Sequence, residues 1–108
     1  MKKFGLLGYP LGHSLSPFIH RQLFAASNTQ ASYELEEIPA EELQNKMPRL
    51  MTLNGFNVTI PHKINIIPYL DVLHEKAELF GAVNTVKTEN GKSIGYNTDC
   101  EGFLRALK

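Results

Sequence analysis

"FGLLGYPLGHSLSP", Phe4 to Pro17, contains an apolar run, a loop and a helix start in immediate succession. Phe4 to Leu7 is a short apolar run, closed by Gly8, Pro10 and Gly12. Such a run, of strand length and without polar alternation, describes a strand covered on both faces, as in parallel sheets sandwiched by helices. Ser16 followed by Pro17 then starts a helix: serine can accept from an unpaired N–H of the first turn, and proline lacks an N–H that would go unpaired there. Ile19, Leu23 and Ala26 recur at helical spacing, and the pattern fades near Asn28.

The alternation of element types continues downstream. Ser32 to Ile38 reads as strand two, with Tyr33, Leu35 and Glu37 alternating against Glu34, Glu36 and Ile38, a charge-rich pattern suited to a sheet edge. Pro39-Ala40-Glu41-Glu42 opens a second helix with an acidic first turn, and Pro48 is expected to kink or interrupt it near Met47. Asn54-Gly55 turns the chain into strand three, Phe56 to Ile60, which ends at Pro61. Helical stretches follow around Ile64 to Leu70 and Leu73 to Phe80.

"GAVNTVKTENGKSIGYNTD", Gly81 to Asp99, reads as a β-hairpin, because Asn90-Gly91 tolerates the positive φ angles of a type I′ turn. Pairing Glu89 with Lys92 sets Asn84 opposite Asn97 and leaves Asp99 just beyond the same open end. "CEGFLRALK" begins a further helix. The expected fold is α/β: a mainly parallel open sheet flanked by helices on both faces, with the hairpin added to it. Right-handed crossovers make the first three strands parallel. Open parallel sheets bind ligands outside the carboxyl ends of their strands. The loop from Gly8 to Ser16 and the Pro61-His62-Lys63 corner therefore share one rim, where the hairpin can also deliver Asn97, Thr98 and Asp99.

The totals narrow the function. The 108 residues, 43% of them hydrophobic, suit one domain with one core. With 11 basic and 11 acidic side chains the formal charge is zero, which argues against nucleic acid and leaves a small molecule as the expected partner. Cys100 is a lone cysteine with no internal disulfide partner, and "FGLLGYPLG" is broken by glycines and proline where a signal peptide would be continuous. A cytoplasmic location is expected. No run approaches the roughly 18 apolar residues of a membrane span.

Candidate chemistry has to be weighed motif by motif. "GYPLGHS" lacks the spacing and the lysine of a P-loop, and no GxGxxG is present, so no nucleotide site is expected in this chain. His13, His20, His62 and His74 have none of the spacings of a metal motif, so no metal is expected. Ser14 and Ser16, beside unpaired N–H groups at a helix start, can hold a carboxylate or phosphate, although Ser16 can equally be an ordinary cap. Lys63 after a strand can be a solvated surface residue or a functional one. Convergence favours function: Asn57, Thr59, Asn84, Asn97 and Thr98 are small polar groups in otherwise apolar strands, where burial requires hydrogen-bond partners. Asn57 and Thr59 project to the same side of their strand. Amides and hydroxyls around Lys63 and Asp99 suit a polyhydroxylated acid.

At these residues the sequence resembles the shikimate dehydrogenase family. "GYPLGHSLSPFIH", "NVTIPHK", "GAVNTV" and "GYNTDCEGF" are similar to the motifs of that family's substrate domain, in the same order and at the same spacing. The resemblance runs from about Phe4 to Phe103. It implies that residues 1–108 are the N-terminal, substrate-binding and catalytic domain of an enzyme that reduces 3-dehydroshikimate to shikimate with NADPH, in aromatic amino acid biosynthesis. It further implies Lys63 and Asp99 as the catalytic pair, Ser14 and Ser16 on the substrate carboxylate, and Asn57, Thr59, Asn84 and Asp99 on the ring hydroxyls, with Thr98 nearby. Glu75 falls where the family can touch its cofactor. Arg21 and Cys100 depart from common family residues at positions without a chemical role. Family members bind NADP through a further, Rossmann-type domain that these residues do not contain, so the resemblance implies no turnover by this chain alone.

A lysine amine is normally protonated at neutral pH, and a nearby carboxylate favours that form. Lys63 beside Asp99 thus suits proton donation to a carbonyl oxygen as hydride arrives. Other readings stay open from sequence: a quinate/shikimate dehydrogenase half, a non-catalytic module that binds shikimate-like acids, or an interaction domain whose polar strand residues satisfy one another.

Overall fold

A computed structural model of the chain describes residues 2–11, 25 and 30–98. The helix expected after Ser16 (apart from Ala25), the final helix, Ser14, Ser16, Asp99 and Cys100 lie outside these residues.

Strand β1 spans Lys2–Gly8 and β2 spans Ala31–Glu37. A 3-10 turn at Ala40–Glu42 leads into helix α1, Leu43–Leu50, and strand β3 covers Gly55–Val58. Helix α2, His62–Asn65, is followed by a 3-10 turn at Ile67–Tyr69, strand β4 at Val72–Leu73 and helix α3 at Glu75–Phe80. Strands β5, Thr85–Glu89, and β6, Lys92–Tyr96, complete the described elements.

The six strands form one sheet in the order β2-β1-β3-β5-β6-β4. β1 pairs in parallel with both β2 and β3, as the apolar run at its centre requires, and β2 takes the edge. The hairpin joins through β5, antiparallel to β3, and β6 runs antiparallel to β5. Its turn residues have positive φ, 53° at Asn90 and 78° at Gly91, and Glu89 pairs with Lys92 as expected of a type I′ register. β3 and β6 consequently point the same way and end at the same rim as β1.

One core packs against this sheet. Leu7, Phe56, Val58 and Val86 from the strands meet Leu43, Met47 and Leu50 of α1, Ile66, and Ala77 of α3. Leu43, Met47 and Leu50 recur at helical spacing, so one face of α1 is apolar and buried. Truncating a fully buried leucine such as Leu50 to alanine would cost about 2–5 kcal/mol.

Local structure differs from expectation at three points. Pro48 does not interrupt α1, which continues to Leu50. Pro48 and Gln44 are both exposed, so the carbonyl deprived of its helical partner can be hydrated while Met47 and Leu50 keep the buried face. The helix expected from Ile64 begins earlier, at His62, and tightens into a 3-10 turn at Ile67, with Pro68 inside that turn. Leu73 is a strand residue rather than a helix start: the Asp71 carboxylate accepts from Ser93 N–H at 2.8 Å, Ser93 Oγ accepts from Asp71 N–H at 3.0 Å, and this latch holds Val72–Leu73 beside β6. In β2 the buried glutamate is Glu36, whose two carboxylate oxygens accept from Arg49 Nε at 3.3 Å and Nη2 at 3.1 Å. A paired carboxylate can be buried where an isolated one cannot.

Candidate functional site

The rim is assembled by backbone bonds among strand ends. Tyr9 N–H donates to the Ile60 carbonyl at 2.9 Å, Thr59 N–H to Leu7 at 2.8 Å and Ile38 N–H to Gly8 at 3.1 Å. These bonds gather the ends of β1, β2 and β3. Gly8 makes the approach possible, because a Cβ there would overlap Thr59 Cγ2 and Leu11 Cδ2. The peptide bonds Tyr9-Pro10 and Ile60-Pro61 are cis. Glu37 accepts from Leu11 N–H at 3.1 Å and draws the loop after β1 toward β2.

Beyond Pro61 the chain turns sharply, with His62 N–H donating to the Thr59 carbonyl at 3.0 Å. His62 is fully buried, and its Nε2 bonds the Ile38 carbonyl oxygen. That bond pins the first turn of α2 to the end of β2 and leaves the next residue, Lys63, half-buried at the rim. Among the described residues His62 Nδ1 has no hydrogen-bond partner.

The Lys63 carbonyl accepts from Val83 N–H at 2.8 Å, and the Asn84 carbonyl accepts from Val58 N–H at 2.7 Å. Lys63, the end of β3 and the entry to β5 are thereby brought together. Asn84 N–H donates to the Tyr96 carbonyl at 2.9 Å, one step beyond the β5–β6 ladder and in the register that faces Asn84 with Asn97. Their side chains nonetheless separate. Asn84 Nδ2 donates to Thr98 Oγ1 at 2.9 Å and Asn84 Oδ1 accepts from Thr98 N–H at 3.1 Å, whereas Asn97 Nδ2 donates to the Ala82 carbonyl at 3.1 Å.

Lys63, Asn84 and Thr98 therefore share one corner, and Thr59 lies at the neighbouring strand end. Asn57 sits deeper in the sheet, where Oδ1 accepts from the Tyr33 phenol at 2.8 Å and Nδ2 donates to Thr85 Oγ1 at 3.4 Å. Much of its hydrogen-bonding capacity is thus taken up within the fold. Asn57 and Thr85 also line an open cavity of about 500 Å³ with Phe4, Tyr33, Phe56 and Tyr96, on the sheet face rather than at the Lys63 corner. Burial pushes the Tyr33 phenol up to about 12, so it stays a neutral donor at physiological pH.

Glu75 is exposed in the first turn of α3, directly after β4. β4 is parallel to β6, so Glu75 emerges at the end of the sheet that carries Thr98. His74 beside it meets Tyr96, with ring centroids 5.3 Å apart. The described residues do not form a dinucleotide cradle: the space beside Gly8 is filled by Thr59 and Leu11, and Glu75 alone supplies no phosphate-binding backbone. Among them there is also no cluster of three or more His, Cys, Asp or Glu side chains that could hold a metal ion, and no helix long and apolar enough to cross a membrane.

The sequence placed His62 at the rim corner but did not show its anchoring bond, and it did not mark Tyr33 and Thr85 as members of this arrangement. A histidine between a proline and the rim lysine, and a threonine adjoining Asn84, were local signals. Tyr33 had none, because its partner Asn57 lies 24 residues away.

An α/β domain that gathers a lysine, amides and hydroxyls at the carboxyl ends of its parallel strands is a small-molecule binding domain by architecture. The family described as the shikimate dehydrogenase substrate binding domain matches residues 6–86, and the chain belongs to that family. It is 47% identical over 108 residues to a shikimate dehydrogenase (NADP(+)) of Staphylococcus epidermidis and 49% identical over 109 residues to one of Caldanaerobacter subterraneus. These alignments cover 98% and 99% of this chain but 40% and 39% of the relatives. The crystal structure of shikimate 5-dehydrogenase from Thermus thermophilus in complex with NADP(H) and shikimate superposes with a TM-score of 0.91 at 38% identity, over 99% of this chain and 41% of that one. The chain thus spans about 40% of the length of the curated relatives it matches.

Proposed function

We propose that this chain is the substrate-binding and catalytic half of a shikimate dehydrogenase, acting in the reversible reduction of 3-dehydroshikimate to shikimate. The observation that carries this reading is the backbone strap from Lys63 to Val83, which joins a lysine to the Asn84–Thr98 pair at the carboxyl ends of the strands. In this reading Lys63 hands a proton to the carbonyl oxygen, and Asp99 is its partner in the catalytic pair. Asn84, Thr59 and Thr98 hold ring hydroxyls, Ser14 and Ser16 hold the carboxylate, and Asn57 supports this set from below.

The reduction also needs a hydride, which NADPH supplies from a further domain of the Rossmann type. In this reading the chain by itself binds substrate without turning it over. Steady-state rates with shikimate and NADP that match intact family enzymes would contradict that expectation.

An amide-resolved NMR titration of this chain with shikimate tests the assignment. Signals of Lys63, Asn84, Thr98 and Asp99 should shift together as ligand is added, and quinate in the same titration reports the selectivity. An absence of shifts at millimolar shikimate would overturn the reading of this chain as a preformed binding half.

A further inference from the structure

One backbone N–H sets the direction of a whole chain of side-chain hydrogen bonds. Thr98 N–H can only donate, and it lies 3.1 Å from Asn84 Oδ1, which identifies that atom as the amide oxygen. Thr85 Oγ1, 3.1 Å from the same oxygen, must then donate to it. With its single proton used, Thr85 Oγ1 can only accept from Asn57, which turns Asn57 Nδ2 toward it at 3.4 Å. Asn57 Oδ1 is left facing Tyr33, whose phenol donates at 2.8 Å. At the other end Asn84 Nδ2 donates to Thr98 Oγ1 at 2.9 Å.

Every bond between side chains therefore points the same way, from a tyrosine only 2% exposed on the edge strand β2 to an exposed threonine at the rim, and the Thr98 N–H meets it from the other end. The chain passes over β1 to reach β3 and β5. Reversing any one amide would set donor against donor or acceptor against acceptor along it, so the orientations hold or fail together.

We propose that Tyr33 is a positioning residue for the rim site: its phenol, by donating to Asn57, holds the Asn57 and Asn84 amides in one orientation and so presents a fixed donor and acceptor pattern to the ligand. This rests on the reading of Asn84 and Thr98 as ligand contacts given above. A residue that only filled space would be replaceable by phenylalanine, which keeps the ring and removes the proton that holds Asn57 Oδ1 at the buried end of the chain.

The test uses this chain, with Tyr33→Phe, Thr85→Val, Thr85→Ser and the double variant Tyr33→Phe/Thr85→Val. Without ligand, Tyr33→Phe should move the side-chain amide signals of Asn57 and of Asn84 and the backbone signal of Thr98, although the last two are remote from the ring. Shikimate affinity should fall about fivefold, the loss of roughly one hydrogen bond. Thr85→Val should weaken binding similarly, Thr85→Ser should restore it, and the double variant should be no weaker than Thr85→Val alone, because the chain is already cut. Unmoved Asn84 and Thr98 signals in Tyr33→Phe, or fully additive losses, overturn the proposal. If Tyr33→Phe does not fold, equal affinities for Thr85→Val and Thr85→Ser overturn it. If the wild-type chain binds no shikimate, the functional reading fails, while the ligand-free signals still decide the role of Tyr33.

Discussion

Val83 N–H donates to the Lys63 carbonyl at 2.8 Å, so the rim lysine is tied through the backbone to the residue that precedes Asn84. A lysine side chain is long and mobile, and its usefulness in proton transfer depends on a fixed point of attachment. Here that point is held on one side by the hairpin and on the other by buried His62.

Lys63→Ala should therefore separate chemistry from binding. In an enzyme restored by joining the chain to an NADP-binding domain of the family, loss of a general acid lowers kcat by about 100- to 10,000-fold. KM should change little. A large rise in KM with unchanged kcat would make Lys63 a binding residue instead.

His62→Ala should destabilise the domain by about 2–4 kcal/mol, since it empties a fully buried site and leaves the Ile38 carbonyl without its side-chain partner. Urea denaturation of the two proteins measures the difference. A change within about 0.5 kcal/mol, the range of neutral surface substitutions, would show that the corner is held by the backbone alone.

Gly8→Ala forces a methyl group into space held by Thr59 and Leu11. Overpacking of this kind costs about 1–3 kcal/mol, and relief requires Thr59 to move. The backbone signals of Thr59 and Ile60 should shift more than those of β2. A variant as stable as the wild type, with those signals in place, would mean that Leu11 yields instead.

Tyr33 predicts an alkaline limit. Burial raises its phenol from 10.0 to about 12 in the folded chain, so the unfolded chain loses this proton first. The protonated form therefore contributes stability in full below pH 10, and that contribution is lost as pH rises toward 12, by about 1.4 kcal/mol per unit. Denaturation midpoints measured across this range should fall less steeply in Tyr33→Phe. Parallel pH dependence in both proteins would contradict the burial of the phenol.

Parts of this site were legible before any coordinates. "NVTIPHK" shows a strand, its terminator and a lysine beyond it, and the Asn90-Gly91 pair announces the hairpin and its register. These features follow from φ preferences and side-chain periodicity, which act over a few residues. Pro48 misled because its cost depends on whether the affected carbonyl can reach water, which only the packing of α1 decides. β4 was illegible for a related reason: two residues have no period, and Val72–Leu73 is a strand because Asp71 and Ser93 latch it to β6.

The sequence by itself determined the longer strands and the hairpin, the parallel pairing of the first three strands and the residues available for chemistry at the rim. Tertiary structure decided which of those residues meet. Antiparallel entry of β5 beside β3 sets Thr85 against Asn57, and the span over β1 lets Tyr33 reach the same amide. Local propensities cannot encode such meetings, because the partners are distant along the chain and become neighbours only when strand order and register are both in place.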